Sequence, residues 1–421
     1  MKRVAVFLCV FFTILIAQTW ESYSHPSIND DRILHATVYD PDSDMIYMIG
    51  GSPNNIWTNM NNYVYRYDPG TDTWNTSLSN MPTARAFIQG AYWDGKIYVI
   101  GGMNSTYVIL NLNQVYDIAT DSWSSLAPIP QARAAHGTVA HDGNIYVIGG
   151  SNLMATGFTS VSRYNTASGT WSQATSLPQA WEMGGCAIWD NVIYLCGGYD
   201  RNAMSTYGHI WSGTIDPGNP DNITWAQREP LPFLTGYSGA TAMDGNVYIL
   251  GGFDESFRLG TRQFLVYQIS ILALMELALY PIAITRNHMV IARRGYNQVY
   301  GVAGDADGNY VEPNNYYYKI DDPMGINETK SVKVIADNAL AIYPSIGQGQ
   351  FTISFSLPNA GQVTLDVYNA LGDKISTLYN GTAEEGTTVV RFSADDLSNG
   401  IYFVRVCNNG SQVTKKFVIS Q

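Results

Sequence analysis

NIYVIGG, residues 144–150, returns along this chain at a nearly constant interval, and that return decides the fold. The copies are MIYMIGG (45–51), KIYVIGG (96–102), VIYLCGG (192–198), NVYILGG (246–252) and a worn QVYGVAG (298–304). Their register tyrosines, Tyr47, Tyr98, Tyr146, Tyr194, Tyr248 and Tyr300, stand 51, 48, 48, 54 and 52 residues apart. One structural unit is therefore repeated six times. Each copy is a short apolar run closed by two glycines, which suits a buried strand followed by a bend with no Cβ in the way.

The third unit displays the parts most clearly. A first strand around HGTVA (136–140) turns at Asp142-Gly143, a pair suited to a two-residue hairpin, into IYVIGG. After a variable loop come VSRYN (161–165), a turn at Ala167-Ser168-Gly169, and a fourth strand from Trp171 to Leu177-Pro178. The Tyr-x6-Trp spacing recurs as Tyr67/Trp74, Tyr116/Trp123 and Tyr164/Trp171; Ile215 and Trp225 stand in across a longer turn, and Tyr267 is followed by Leu274. With the double glycine, the spaced Tyr and Trp, and Pro-x-Ala-Arg at Pro82–Arg85 and Pro130–Arg133, the stretch from about residue 20 to 325 resembles the kelch repeat. The resemblance implies an all-β fold, a six-bladed kelch β-propeller of four-stranded blades. Blade five departs from the pattern by lacking its Trp, blade six by Ala303 for the first Gly, and blade four by Trp181 where others have Arg.

The sixth unit has a Tyr-rich third strand, NYYYKI (315–320), and no Trp-bearing fourth strand after it. Trp20 to Pro26, leading to Arg32 and His35, parallels Trp123 to Pro130 leading to Arg133 and His136. The N-terminal segment is therefore expected to be the outer strand of the last blade, with Trp20 a large buried aromatic. FLVYQISILALMELALYPIAI (264–284) has the hydropathy of a membrane span, yet Tyr267, Leu274 and Pro281 keep the register of Tyr116, Trp123 and Pro130, which makes it two strands of blade five.

Lys2-Arg3 followed by VAVFLCVFFTILIA (4–17) reads as a secretory signal peptide, residues 1–18, ahead of a propeller at 19–325. A linker follows at 326–338. Residues 339–421 hold six further strand patterns, the features of a small Ig-like or fibronectin-like β-sandwich. Tyr343-Pro344, Gly349, Leu357-Pro358, Val367-Tyr368, Gly372, Gly400-Ile-Tyr402 and Lys415-Lys416 resemble the C-terminal sorting domain of type IX secretion cargo, with Ser345-Ile346 where that family has Asn-Pro. The resemblance implies a protein secreted or held at the outer surface of a Gram-negative bacterium, with the secretion machinery as partner of 339–421 and no membrane span in the mature chain.

A net charge of −12 argues against a nucleic-acid partner, since such binders concentrate Lys and Arg. Long, varied loops follow each double glycine and share one face; the other face carries short turns at Asp94-Gly95, Asp142-Gly143 and Asp244-Gly245. The loops supply Trp57, Tyr107, Tyr199, Tyr207, Trp211 and Tyr310 among many Asn and Ser, residue types that suit an extracellular glycan or a protein ligand, and that pack loops when there is none. Arg32, Arg85, Arg133 and Arg286 recur where strand one begins, either to hold a carboxylate or to bond carbonyls and acids between neighbouring blades. The expected function is a binding module with no cofactor, metal or catalytic residue. The enzyme alternatives are carbohydrate-active: a galactose-oxidase-like copper site, for which only Cys186 and Cys196 are on offer, and a sialate-epimerase-like site, for which Arg85, Arg133 and Glu182 are nearest. Asp40/Asp42/Asp44 has no glycine at the sixth position of a calcium loop, neither it nor Asp305/Asp307/Asn309 has the terminal glutamate, and both read as turns. With Asp190-Asn191 as the hairpin loop, Cys186 faces Leu195 and Cys196 faces Gly185, so the two sulfurs point to opposite sides of the sheet and are expected to be free, buried thiols.

Overall fold

The computed structural model describes residues 20–24, 32–53, 59–153, 156–231, 236–252, 264–270, 273–277, 279, 289–293, 298–302, 317–321, 340–343, 346–357, 360–369, 374–384, 386–394, 397–408 and 411–420. Two compact units divide the chain, Met1–Ile326 and Asn327–Gln421. The first contains six four-stranded antiparallel sheets, five of them in strand order along the chain and the sixth completed by a strand from near the N-terminus. Their inner strands are Ala36–Asp40, Gln89–Trp93, Gly137–His141, Gly185–Trp189, Gly239–Met243 and Met289–Arg293; each contacts the next, and the last contacts the first. The sheets are thus the blades of a closed propeller.

The repeated hydrophobic run is the second strand of each blade. Neighbouring blades cover both its faces, so it has no polar side to alternate with, and Ile46, Met48 and Ile49 or Ile145 to Ile148 are wholly buried. The Tyr-x6-Trp spacing places the two rings opposite each other on strands three and four, as Tyr67↔Trp74, Tyr116↔Trp123 and Tyr164↔Trp171. Each indole then reaches back to the preceding segment: Trp74 Nε1 donates to the Ser24 carbonyl, Trp123 to Ser79, Trp171 to Ala127 and Trp225 to Thr175, at 2.8–3.1 Å. The motif is a staple between blades. In blade four the longer hairpin carries two register shifts, and Trp225 pairs with Gly213 rather than Ile215, where a Cβ would lie 2.5 Å from the indole.

Residues 264–268 and 273–276 are strands, with Tyr267 opposite Leu274 as the register of the other blades requires. Glu21–Ser22 pairs with Lys319 and Tyr318 as the outer strand of blade six. Trp20 packs on Phe264 at 5.0 Å but is only half-buried; Tyr23 is the deeper anchor, at 4.8 Å from Tyr67 and 5.3 Å from Tyr300. The expected register of the cysteine hairpin is observed, and Cys186, Cys196 and Cys407 are free. Cys196 is buried, whereas Cys186 sits half-exposed in the wall of the central channel, where desolvation pushes its thiol up to about 12. A non-reduced peptide map should contain no Cys186–Cys196 link, and Cys186 should react slowly with alkylating reagents in the folded protein; a linked peptide would require a bulge in this hairpin.

In the second unit, one sheet has three strands, in the order 340–343, 350–357, 386–393. Another has five, in the order 346–347, 411–419, 400–408, 361–369, 374–383. Phe351, Phe355, Val363, Leu365, Val367, Val404, Val406 and Phe417 form one buried cluster drawn from both sheets, the signature of a sandwich.

Candidate functional site

The double glycines, the arginines and a third set of residues form one device around the channel. Gly50 and Gly51, Gly101 and Gly102, Gly149 and Gly150 all have positive φ, between 60° and 94°. The N–H of the second glycine donates across to the next blade: Gly51 to the Arg85 carbonyl, Gly102 to Arg133 and Gly150 to Trp181, at 2.7–3.0 Å. Side chains of those same residues turn into their own blades. Arg133 Nη1 donates to the Gly149 and Ser160 carbonyls at 2.9 and 3.2 Å, Arg85 Nη2 to Val99 at 3.1 Å with Gln114 accepting from Nη1, and Arg32 Nη1 to Tyr63 at 3.3 Å while lying 4.0 Å from the Tyr65 ring. Trp181 keeps the role in blade four, its indole donating to the Gly197 carbonyl at 2.8 Å. The three arginines are at most 1% exposed and bond carbonyls within a blade rather than between blades. Burial lowers the Arg85 and Arg133 pKa to about 9 and about 10.

Two residues after each of these positions stand Leu34, Phe87, Ala135, Met183 and, in blade five, Tyr237, all with φ between 56° and 59°. Four of these amides donate to the carbonyl of the counterpart one blade earlier: Phe87 to Leu34, Ala135 to Phe87, Met183 to Ala135, and Tyr237 to Met183. This hydrogen-bonded hoop places five side chains across the loop end of the channel, where they belong to an apolar cluster with Ile33, Ala86 and Met103 and leave a pocket of about 20 Å³. Sequence reasoning missed it. Its signal was a recurrent non-glycine position, and only the ring explains why that position takes a left-handed conformation at a cost of about 1–2 kcal/mol each.

Beyond the hoop the channel widens into a cavity of about 1010 Å³ that runs to the hairpin turns. Five of the six inner strands supply its described wall, each paired on one side only, so their outer-edge N–H and C=O groups face the channel. Thr37, Gln89, Thr138 and Thr241 add polar side chains, and Tyr39, Tyr92, Trp93 and Trp189 stand toward the mouth with the exposed Asp42, Asp94, Asp142 and Asp190. Tyr92 donates to Asp42. The cavity therefore opens on the face of short turns, opposite the face where the long loops lie.

On the loop face, Tyr199 and Tyr207 are buried, the hydroxyl of the latter shared between Asp200 at 2.7 Å and the Ala180 carbonyl at 2.9 Å, and Trp211 is half-buried against His209. Tyr107 is 44% exposed beside Val108 at 51%, on a turn whose Thr106 and Val108 amides donate to Asn104 Oδ1. Trp57, Arg286 and Tyr310 lie outside the described residues, as does Asp305/Asp307. The Asp40–Asp44 turn is tied internally, Asp42 N–H donating to Asp40 at 3.0 Å and Tyr39 to Asp44 at 2.9 Å. Among the described residues no group of three or more His, Cys, Asp or Glu is placed to hold a metal.

Two buried titratable groups flank the hoop. Glu182 is fully buried, its carboxyl raised by desolvation and drawn back by Ser151 and by Arg201, whose Nη2 lies 2.6 Å away. His136 bonds the Ile100 carbonyl through Nε2 at 3.0 Å, which requires a proton there, and Nδ1 accepts from Thr138 at 3.0 Å. Burial, with Arg133 nearby, lowers its pKa from 6.5 to about 4. A folded-state pKa below the unfolded value means that this contribution is complete above pH 6.5 and is lost as the pH falls toward 4, by about 3 kcal/mol at most. Urea unfolding at about pH 7.5 and about pH 4.5 should therefore bring wild type and His136→Gln closer together in stability at the lower pH; an unchanged gap would mean that His136 takes up its proton in the folded state.

Residues 7–198 match the family model described as the KLHDC2/KLHL20/DRC7 Kelch-repeats domain, and residues 341–420 match the secretion system C-terminal sorting domain. A kelch repeat-containing protein of Dictyostelium discoideum is 32% identical over 118 residues, which is 27% of this chain and 17% of that relative's length. The solved structure of YjhT superposes with a TM-score of 0.57 at 14% identity, over 70% of this chain and 94% of its own, a likeness of fold alone. Closed blades, the glycine and arginine bonds around the channel, the sandwich and both matches agree: the chain is a kelch-repeat β-propeller carrying a C-terminal sorting domain, which indicates type IX secretion or cell-surface attachment.

Proposed function

We propose that the propeller is a non-catalytic binding module that takes the end of an extracellular glycan chain into its central cavity. The observation that carries this reading is the cavity of about 1010 Å³, walled by unpaired strand edges and hydroxyls with tryptophans near its mouth. Sugar hydroxyls pair with such main-chain groups, and sugar C–H faces stack on aromatic rings. The enzyme alternatives draw no support from it, because Arg85, Arg133 and Glu182 are buried behind the hoop and the two cysteines are thiols of raised pKa. On this reading 1–18 is a signal peptide, 19–325 the propeller, 326–338 a linker, and 339–421 the unit read by the secretion machinery.

A glycan array probed with the full chain tests the proposal. Retained glycans should protect Cys186 from alkylation, since that thiol lines the cavity; binding without protection would move the site elsewhere. A protein ligand on the loop face is the second reading, favoured by the exposed Tyr107 and Val108 on a turn held by Asn104. Loss of partner capture in Tyr107→Ala with Cys186 still reactive would select it.

A further inference from the structure

The strand at 400–408 carries apolar side chains on both of its faces. Tyr402, Val404 and Val406 are buried in the sandwich, while Ile401, Phe403 and Cys407 turn to the other side, with Ile401 44% exposed. An antiparallel strand with one solvated face alternates apolar with polar, and one that is apolar on both faces belongs where both are covered. The three-stranded sheet keeps the ordinary rule. Its middle strand, 350–357, buries Phe351, Ile353 and Phe355 and sets Gln350, Thr352 and Ser354 outward.

On the outward side of the five-stranded sheet Phe403 stands opposite both Tyr368 and Lys416, Ile401 opposite Val418, and Arg405 opposite Asp366. The Arg405 guanidinium lies 4.5 Å from the centre of the Tyr368 ring. Asp366, only 9% exposed, accepts from Thr377 and stands 3.6 Å from Lys374 Nζ. A stacked arginine among aromatic rings has little freedom left to lose on contact, and these residue types are the ones that centre an interface. Charge is sorted as well. Lys374, Arg405 and Lys416 are three of the five bases of 339–421, and Asp366 is the only acid within a strand there, since Asp373, Glu384, Glu385, Asp395 and Asp396 fall between strands.

We infer that this outward face, centred on Phe403 and Arg405, is where the secretion machinery takes hold of the chain, and that it meets an apolar surface edged with carboxylates. The step rests on reading 339–421 as the unit that the machinery recognises, a reading supported by the match of 341–420 to a sorting domain. Of the two sheet faces of that unit, one offers hydroxyls and the other an apolar strip with bases beside it. Carboxylates pair with a guanidinium fork and with the two lysines, and the apolar strip covers Phe403, Ile401 and Val418.

Export of the full chain in a Gram-negative host with type IX secretion tests this, read as the share at the cell surface and in the medium against the share in the periplasm. Phe403→Ser/Arg405→Glu should cut the exported share about tenfold or more and leave folded chain in the periplasm. Val389→Ser/Arg391→Glu makes the same kinds of exchange on the outward face of the three-stranded sheet, where Val389 is 58% exposed, and should change export by less than about twofold. Protease resistance of the purified full chains checks folding; should the first variant fail there, Arg405→Ala/Lys416→Ala takes its place and must itself reduce export. Export at the parent's level, or an equal loss in the matched pair, would overturn the inference. So would a parent dimer that the variant splits, which gives the face to a second copy, or a propeller of lower melting temperature in the variant, which gives it to the propeller. Deleting 339–421 separates the inference from the reading beneath it. A deleted chain that still reaches the surface removes both; one held in the periplasm while the face variant is exported removes only the choice of face.

Discussion

Gly149→Ala is expected to destabilise the propeller by about 4 kcal/mol or more, whereas Gly95→Ala, at nearly the same backbone angle, should lose only about 1–2 kcal/mol. Both residues have positive φ, 60° at Gly149 and 69° at Gly95, so the left-handed penalty is shared. The space is not. A Cβ on Gly149 would lie 2.2 Å from the Trp181 carbonyl oxygen, while nothing stands within 4 Å of one on Gly95. That carbonyl is backbone, and it already accepts the Gly150 N–H at 2.7 Å, so moving it opens a buried bond between blades three and four. Denaturant midpoints of the two variants decide the matter. Equal losses would mean that conformation alone, and not close approach of neighbouring blades, requires the double glycine.

Tyr23→Ala should cost about 3–5 kcal/mol, the usual range for a buried aromatic cut to alanine. Its ring is 7% exposed, packs between Tyr67 of blade one and Tyr300 of blade six, and donates through its hydroxyl to the Gly301 carbonyl at 3.2 Å. One residue later Ser24 locks to blade one: its N–H donates to Asp72 at 2.9 Å, its hydroxyl to the Asp72 carbonyl at 2.8 Å, and its carbonyl accepts the Trp74 indole. The segment therefore joins the last blade to the first, and its loss exposes the edge of Tyr317–Asp321 as well as two blade faces. Thermal unfolding of Tyr23→Ala beside Tyr23→Phe separates the ring from its hydroxyl. A variant as stable as the parent would show that blade six closes without the N-terminus.

The sequence alone determined whatever depends on near neighbours or on a repeated period. Five apolar runs with paired glycines and a worn sixth, the Asp-Gly hairpins, the Tyr-x6-Trp spacing and the absence of a blade-six fourth strand are all local or periodic signals, and they carried the blade count, the strands at 264–268 and 273–276 and closure through residues 20–24. The cysteine register followed from turn length by counting. Tertiary structure decided what depends on contacts between blades. Arg32, Arg85 and Arg133 look the same in sequence whether their guanidiniums face a ligand or carbonyls, and only packing around the channel turned them inward to nearly zero exposure. Leu34, Phe87, Ala135, Met183 and Tyr237 carry no left-handed signal of their own; each takes that conformation because the amides and carbonyls of the hoop must meet across neighbouring blades. That hoop lies across the loop end of the channel, and the cavity of about 1010 Å³ reaches the short Asp-Gly turns at the other end, the face with the least sequence variety.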